Sequence, residues 1–285
     1  MRLHLLSDLH FEFQRWRKIW DINRVDADVH VLAGDIGVGL AGIEWALRTF
    51  RKPVIYVMGN HEYYGQRPML DLLRQARKKT FNTHVHVLEN DSVVIGGTRF
   101  LGCTLWTDFA LFGIERQSEM MAIATDAMGD YSNIRLRRKG IRSDTCSIRA
   151  DGTRERFGDF LTAEVSLQLH RESRKFLEDQ LSLGPDPKTM AGSWKKTVVV
   201  THHAPWSRSL CSKKEMLPID AAYASHLDNL LSSADLWLHG HVHVAREDYA
   251  GDVPFRIRVA TNCRGYTDYG IGAVPDFAPH RVIEL

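Results

Sequence analysis

Residues 53–62, PVIYVMGNHE, limit what this chain can fold into more than any other stretch. Val54, Ile55, Tyr56 and Val57 are β-branched or aromatic and carry no charge, the composition of a strand buried on both faces. The run ends in Gly59, and directly behind the glycine come Asn60, His61 and Glu62, three side chains able to bind a metal or move a proton. The glycine is expected to let the backbone turn sharply, so that Asn60 and His61 reach one crevice beyond the carboxyl end of the strand.

Four other segments repeat this design. The strand-like run at residues 3–7 ends in Asp8-Leu9-His10, and the run at 29–33 ends in Gly34-Asp35. Residues 197–201 end in His202-His203-Ala204-Pro205, and residues 236–238 lead into His239-Gly240-His241-Val242-His243. Helical spacing at residues 43–50 separates the second and third strands, a β-α-β order that predicts a parallel sheet with helical crossovers and an α/β fold. Further helices are expected at 67–79, 166–183 and 221–232, the second of them stopped by Gly184-Pro185-Asp186-Pro187.

Strands at 85–88 and 92–102, the latter folded at Gly96-Gly97, read as the start of a second sheet, and strands at 253–260 and 281–285 close the chain. Residues 107–165 have weak periodicity and read as a lid-like insertion. No repeat, linker or low-complexity tract divides the sequence, so residues 1–285 are expected to form a single domain.

Composition narrows the partners. A net charge of +2 gives no overall bias towards nucleic acid or membrane surfaces. Cys103, Cys146, Cys211 and Cys263 are widely spaced and form no C-x-x-C pair, so neither a disulfide framework nor a thiolate zinc site is indicated. The N-terminal segment is too interrupted for a signal peptide, and no apolar run is long enough to span a bilayer, so a cytoplasmic location is expected.

The strand-tip residues are oxygen and nitrogen ligands with no thiolate among them, a set suited to manganese, iron or zinc. Two ions held close together need a bridging carboxylate and can clamp both oxygens of an in-line displacement at phosphorus. Asp35 is the natural bridge.

The succession Asp8-x-His10, Gly34-Asp35, Gly59-Asn60-His61-Glu62, His202-His203-x-Pro205 and Gly240-His241-x-His243 resembles the calcineurin-like metallophosphoesterase superfamily, block by block and in order. The resemblance implies a four-layer α-β-β-α sandwich of two mixed β-sheets flanked by helices, with two divalent ions at the carboxyl ends of the central strands. It implies that Asp8, His10 and His243 hold the first ion, that Asn60, His202 and His241 hold the second, and that Asp35 bridges them. It also implies that His61 faces the phosphate and protonates the leaving oxygen, with a hydroxide on the two metals as nucleophile.

His203 is expected to lie behind the ligands or to face substrate, and His239 to pack at a strand end. Many protein-phosphatase members carry a second aspartate three residues after the bridge. Val38 stands there in this chain, so another group or solvent must orient His61.

Substrate identity is left to other segments. The cationic run from Arg135 to Arg156 reads either as a lid gripping phosphate or nucleotide, or as a solvated loop. Trp106 and Phe109 read as core rather than pocket. Near the end, Arg264 is placed to reach a phosphate oxygen, and Tyr266 or Tyr269 to stack on a base. The expected function is hydrolysis of a small soluble phosphomonoester or phosphodiester, such as a nucleotide or cyclic nucleotide. A nuclease using the basic insertion and a non-catalytic metal-binding scaffold are the alternatives, and the sequence is silent on oligomeric state.

Overall fold

The computed structural model describes residues 1–13, 22, 25–65, 67–136, 147–148, 154–155, 159–184, 194–210, 215–251, 256–266 and 274–285. Among them, two β-sheets lie face to face. The first contains β1 (Arg2–Leu6), β2 (Val29–Ala33), β3 (Val54–Val57), β4 (Val85–Leu88) and the C-terminal β13 (Val282–Glu284), in the order β13-β1-β2-β3-β4. All neighbours are parallel except β13, which runs antiparallel to β1, and residues 85–88 join this first sheet through β3 instead of opening the second as expected.

The second sheet contains β5 (Asp91–Ile95), β6 (Thr98–Cys103), β9 (Lys196–Thr201), β10 (Leu236–His239), β11 (Ala245–Ala250) and β12 (Ile257–Asn262), in the order β11-β12-β10-β9-β6-β5. Its central strands are parallel and its two edge strands antiparallel. Both sheets are therefore mixed, as expected. The residual β7 (Ser147–Ile148) and β8 (Arg154–Glu155) pair only with each other.

Alternation along the strands divides the core into layers. Leu3, Leu5, Val31, Ile55 and Val57 of the first sheet meet Phe100, Val198, Val200, Leu236 and Leu238 of the second. The opposite faces, Leu6, Leu32, Val54 and Tyr56, pack against α1 (Ala41–Thr49) and α2 (Met69–Thr80), whose buried positions Ile43, Ala46, Leu72 and Ala76 follow helical spacing. On the far side, Leu101, Val199 and Trp237 pack against Leu177 of α5 (Ala163–Leu181) and Leu230 of α6 (Asp228–Leu231). This is the four-layer sandwich. The Thr162 hydroxyl caps α5 by accepting from the Val165 amide at 3.3 Å, which starts the helix ahead of the expected residue 166.

The described parts of the insertion are not loose chain. Helix α3 (Gln117–Ala127) places Met120 and Ala124 against Phe109, Leu111, Leu167 and Ala221, and the short α4 (Asp130–Asn133) follows. Trp106 and Phe109 are buried as core residues. The cationic run from residue 137 to 156 lies outside the described residues, apart from the backbone of β7 and β8.

One expected element does not form as one piece. In place of a helix over 221–232, a 3-10 turn at Pro218–Ala222 is followed by extended chain and then by α6. Ala224 pairs with Ala204 in a parallel bridge, and the Ser225 amide donates to the Ala204 carbonyl at 3.1 Å, bonds that a continuous helix would forbid. Among the described residues, no helix is long and apolar enough to cross a membrane.

Candidate metal centre

The carboxyl ends of β1, β2 and β3 in one sheet and of β9 and β10 in the other converge on one place. A parallel bridge between Ser7 and Cys263 ties the two sheets together beside it. Asp8 and His10 follow β1, Asp35 follows β2, Asn60 and His61 follow β3, His202 follows β9, and His241 and His243 follow β10. Five of these residues have left-handed backbone: Asp8 (φ 52°), His10 (47°), Asp35 (55°), His241 (69°) and His243 (48°). Such conformations cost roughly 1 kcal/mol or more each and are found where surrounding structure holds a site in shape.

Two glycines show what the close packing requires. A Cβ on Gly59 would lie 2.1 Å from Asp35 Oδ1, and one on Gly34 would lie 2.2 Å from His202 Nδ1. Gly34 also needs its positive φ of 88°, whereas Gly59 is absent from the left-handed set. Gly59 therefore serves close approach, not the sharp turn expected from sequence.

Donor atoms gather into three overlapping groups, one of which, His10, Asp35 and His61, joins the other two. Asp8, His10 and His243 offer ligand atoms within 4.8 Å of one another, as do Asp35, His202 and His241. Asp35 Oδ2 lies 3.4 Å from His202 Nε2 on one side and 3.8 Å from His10 Nε2 on the other. Asn60 Oδ1 joins the second group, 3.0 Å from His202 Nε2. His202 Nδ1 donates to the Ala33 carbonyl at 2.9 Å, so its Nε2 is left to face the ligand cluster.

The chemistry of this set fits divalent cations. Asp8 and Asp35 are buried, and the ion pairs they make among the described residues are with imidazoles, not with lysine or arginine. Burial pushes both carboxyls upwards, but His243 and His202 hold Asp8 well below the usual range, and His202 and His61 do the same for Asp35. Burial lowers His202, yet Asp35 and Asp8 raise it to about 10, a sign of how strongly the cluster demands positive charge. His10 Nε2 and His243 Nε2 face each other at 3.1 Å, and His241 Nε2 is buried without a hydrogen-bond partner. A buried ring nitrogen with no protein partner, beside two facing imidazoles, suits a cation as the partner.

Glu62 braces the two loops that carry Asp35 and Asn60. Its carboxylate accepts from the amides of Asp35 (2.9 Å), Ile36 (2.9 Å) and Gly59 (2.7 Å) and from the Tyr56 hydroxyl (2.8 Å). Asp35 Oδ1 in turn accepts from the His61 amide at 2.8 Å. On the other sheet, the His241 amide donates to Asp8 Oδ1 at 3.1 Å.

A cavity of about 480 Å³ opens over the cluster, lined by Asp35, Asn60, His61, His241 and His243, with Tyr64, Tyr223, Tyr266, Met128, Ile219, Val242 and Asp220 around them. Tyr64 stacks on His61 at 4.2 Å and Tyr223 on His241 at 4.7 Å between ring centroids. His61 Nδ1 lies 2.9 Å from Glu12 Oε1, and its Nε2 lies 3.1 Å from the Tyr266 hydroxyl. Burial lowers His61, but Asp35 and Glu12 raise it to about 9.

Other expected site residues lie elsewhere. His203 is buried behind His241, with ring centroids 4.1 Å apart and Nδ1 at 3.2 Å from the Thr104 carbonyl; burial and His202 push it down to about 3. Arg264 is buried, donates to the Leu9 carbonyl at 3.0 Å and is not among the residues lining the cavity. His239 packs at the end of β10 beside Ser209, at 2.8 Å. Tyr269 lies outside the described residues.

Sequence reasoning passed over Glu12, Tyr64, Asp130 and Tyr223. Only Glu12 had a local signal, two residues after His10. Asp130 acts across the fold, accepting from Asn60 Nδ2 at 2.8 Å and from the Tyr64 hydroxyl at 2.6 Å.

The chain is similar to several known proteins. Residues 1–117 match the family described as calcineurin-like phosphoesterase, a stretch holding the first three strand tips. An uncharacterized protein of Acanthamoeba polyphaga mimivirus is 24% identical over 295 aligned residues, covering 93% of this chain and 91% of that protein. Among solved structures, phosphopantetheinyl hydrolase from Mycobacterium tuberculosis shares the fold with a TM-score of 0.63 at 19% identity, covering 93% of this chain and 89% of its own. A dimetal phosphatase from Danio rerio aligns with a TM-score of 0.46 at 12% identity, over 94% of this chain and 88% of its own.

Proposed function

We propose that this chain, which its residues 1–117 place with the calcineurin-like phosphoesterases, is a dinuclear metal-dependent hydrolase of small phosphate esters. The observation that carries the reading is the set of overlapping donor groups linked through Asp35 and His10 beneath the cavity. Asp8, His10 and His243 would hold one ion and Asn60, His202 and His241 the other, with Asp35 between them. Manganese, iron and zinc all suit these donors. When bound, the two ions supply the Lewis-acid charge that polarises the phosphoryl group and activates water at neutral pH.

The protein's own groups do the rest. His61 faces the cavity through Nε2 and is placed to give a proton to the leaving oxygen. The left-handed ligand loops, braced by Glu62, hold the donors in place before substrate arrives, so that little reorganisation accompanies reaction. Among the described residues lining the cavity, His61 is placed to meet phosphoryl charge beside the ions. The walls formed by Tyr64, Tyr223 and Tyr266 with Met128 and Ile219 suit a flat or apolar leaving group, and a nucleoside ester satisfies that chemistry.

The test is hydrolysis of bis-p-nitrophenyl phosphate beside p-nitrophenyl phosphate, using protein stripped of metal and then given manganese, iron(II) or zinc. Activity restored by metal and absent from Asp35→Asn is the expected result, and the ratio of the two rates assigns diester or monoester chemistry. Metal binding without turnover on any ester would favour a scaffold instead.

A further inference from the structure

The chain lacks an aspartate three residues after Asp35, where Val38 stands, yet His61 does not lack a carboxylate. Glu12, in the 3-10 turn Phe11–Phe13 just past β1, places a single oxygen, Oε1, 2.9 Å from His61 Nδ1 and 3.0 Å from His10 Nδ1. An ionised carboxylate only accepts, so both contacts make the Nδ1 atoms donors. Each ring is then left with Nε2 pointing away from Glu12. His10 Nε2 faces His243 Nε2 and the Asp8 cluster, and His61 Nε2 faces the Tyr266 hydroxyl at the cavity.

We infer that Glu12 is the positioning residue for His61, accepting from its Nδ1–H so that the ring's other N–H, at Nε2, is the one presented to the leaving oxygen, and that the same Glu12 oxygen orients the ligand His10. This rests on the phosphoesterase reading above. One side chain thereby couples the proton donor to the first ligand group, and the rings are held 4.5 Å apart in an edge-on arrangement. The placement follows from local geometry. His10 has left-handed backbone, and the Phe13 amide donates to the His10 carbonyl at 3.0 Å, a tight turn that folds Glu12 back over the site. Glu12 keeps only 18% of its side-chain surface exposed, so its charge is directed at the two imidazoles rather than at water.

The experiment compares Glu12→Gln and Glu12→Ala with wild type in the zinc-loaded protein. Imidazole nitrogen–proton correlation spectra are recorded with labelled histidine, beside bound zinc per chain and steady-state kinetics on esters of graded leaving-group pKa. In wild type, His61 and His10 are each expected to show a protected, downfield Nδ1–H proton. Glu12→Ala is expected to lose the His61 signal and about 10²-fold in kcat on alkyl esters, with much less loss on p-nitrophenyl esters and little change in KM. Glu12→Gln, whose amide oxygen still accepts, is expected to recover part of both.

A His61 Nδ1–H signal unchanged in Glu12→Ala overturns the inference. So does a loss that is uniform across leaving groups and follows zinc content, since Glu12 would then serve the metal alone. If wild type hydrolyses none of the esters, the phosphoesterase reading fails, and the histidine spectra still decide whether Glu12 orients His61.

Discussion

Asn60 Nδ2 donates to Asp130 Oδ1 at 2.8 Å, so that the amide oxygen of Asn60 turns towards His202 Nε2 and the second donor group. Asp130 sits on α4, in the segment between β6 and α5 that sequence patterning sets apart as an insertion. A carboxylate cannot donate, so it selects the one amide orientation that leaves the oxygen free for a cation.

Removing Asp130 should therefore weaken one ion more than the other. Asp130→Ala is expected to lower affinity for the second ion by about 10- to 100-fold while the first remains bound, read by titrating metal into stripped protein. Tyr64→Phe, which removes the other donor to Asp130, should leave both affinities near wild type. Equal weakening by the two variants would place the effect on Tyr64 instead.

His61 should separate binding from turnover. His61→Ala is expected to retain two ions per chain and to lose ~10²-fold or more in kcat on esters with poor leaving groups. Elemental analysis beside the kinetics checks this, and loss of an ion would reassign His61 to the ligand set.

Gly59 carries a steric prediction. In Gly59→Ala the new methyl would meet Asp35 Oδ1 at 2.1 Å and the Asp35 backbone nitrogen at 2.7 Å, so the ligand loop must shift. The expected cost is roughly 1–3 kcal/mol of stability, with reduced metal content. Gly184→Ala, made where no atom lies within 4 Å of the new Cβ, should change stability by under about 0.5 kcal/mol. Denaturant titrations and metal analysis of both variants give the comparison.

A buried histidine pair far from the cavity sets an acid limit on stability. His4 Nε2 donates to the Pro279 carbonyl at 2.8 Å, which leaves its Nδ1 to accept from His30 Nδ1 at 2.9 Å. Burial lowers His4 to about 4, and burial with His4 and Lys52 nearby lowers His30 to about 3. Above about pH 7.5 neither the folded nor the unfolded rings hold an appreciable extra proton. As pH falls below that value the unfolded rings take protons and the folded rings do not, so stability falls until the folded values are reached. The loss is on the order of 2 kcal/mol per ring between about pH 7.5 and 5. His30→Phe, which keeps a ring stacked on Phe50, should lower the neutral plateau and flatten this limb in a pH series of denaturant midpoints. A slope unchanged from wild type would move the acid limit to other groups.

The five strand tips were legible in the sequence because each is a local pattern: an apolar run that must be buried, followed at once by side chains of the types able to bind metal. Asp8, Asp35, Asn60, His202 and His241 all lie at carboxyl ends of parallel strands, where a sheet collects residues distant in sequence. The α/β order was legible for the same reason, since periodicity is local. The failure at 221–232 is instructive. Helical spacing was present, but the Ala204 to Ala224 bridge outweighed it.

Sequence by itself thus determined the chemistry on offer: oxygen and nitrogen ligands at five tips, in the order of a known superfamily, on an α/β frame. Tertiary structure alone decided how those side chains cluster, and which carboxylates orient them. Glu12 reaches His61 across 49 positions and Asp130 reaches Asn60 across 70, contacts that depend on loop packing and leave no periodic trace. Arg264 shows the same limit from the other side, a charged residue beside the site that packing turned inward to the Leu9 carbonyl. A pattern along the chain reports which surfaces must be buried, whereas the direction of a single polar side chain is set by the partners that folding brings within hydrogen-bond reach.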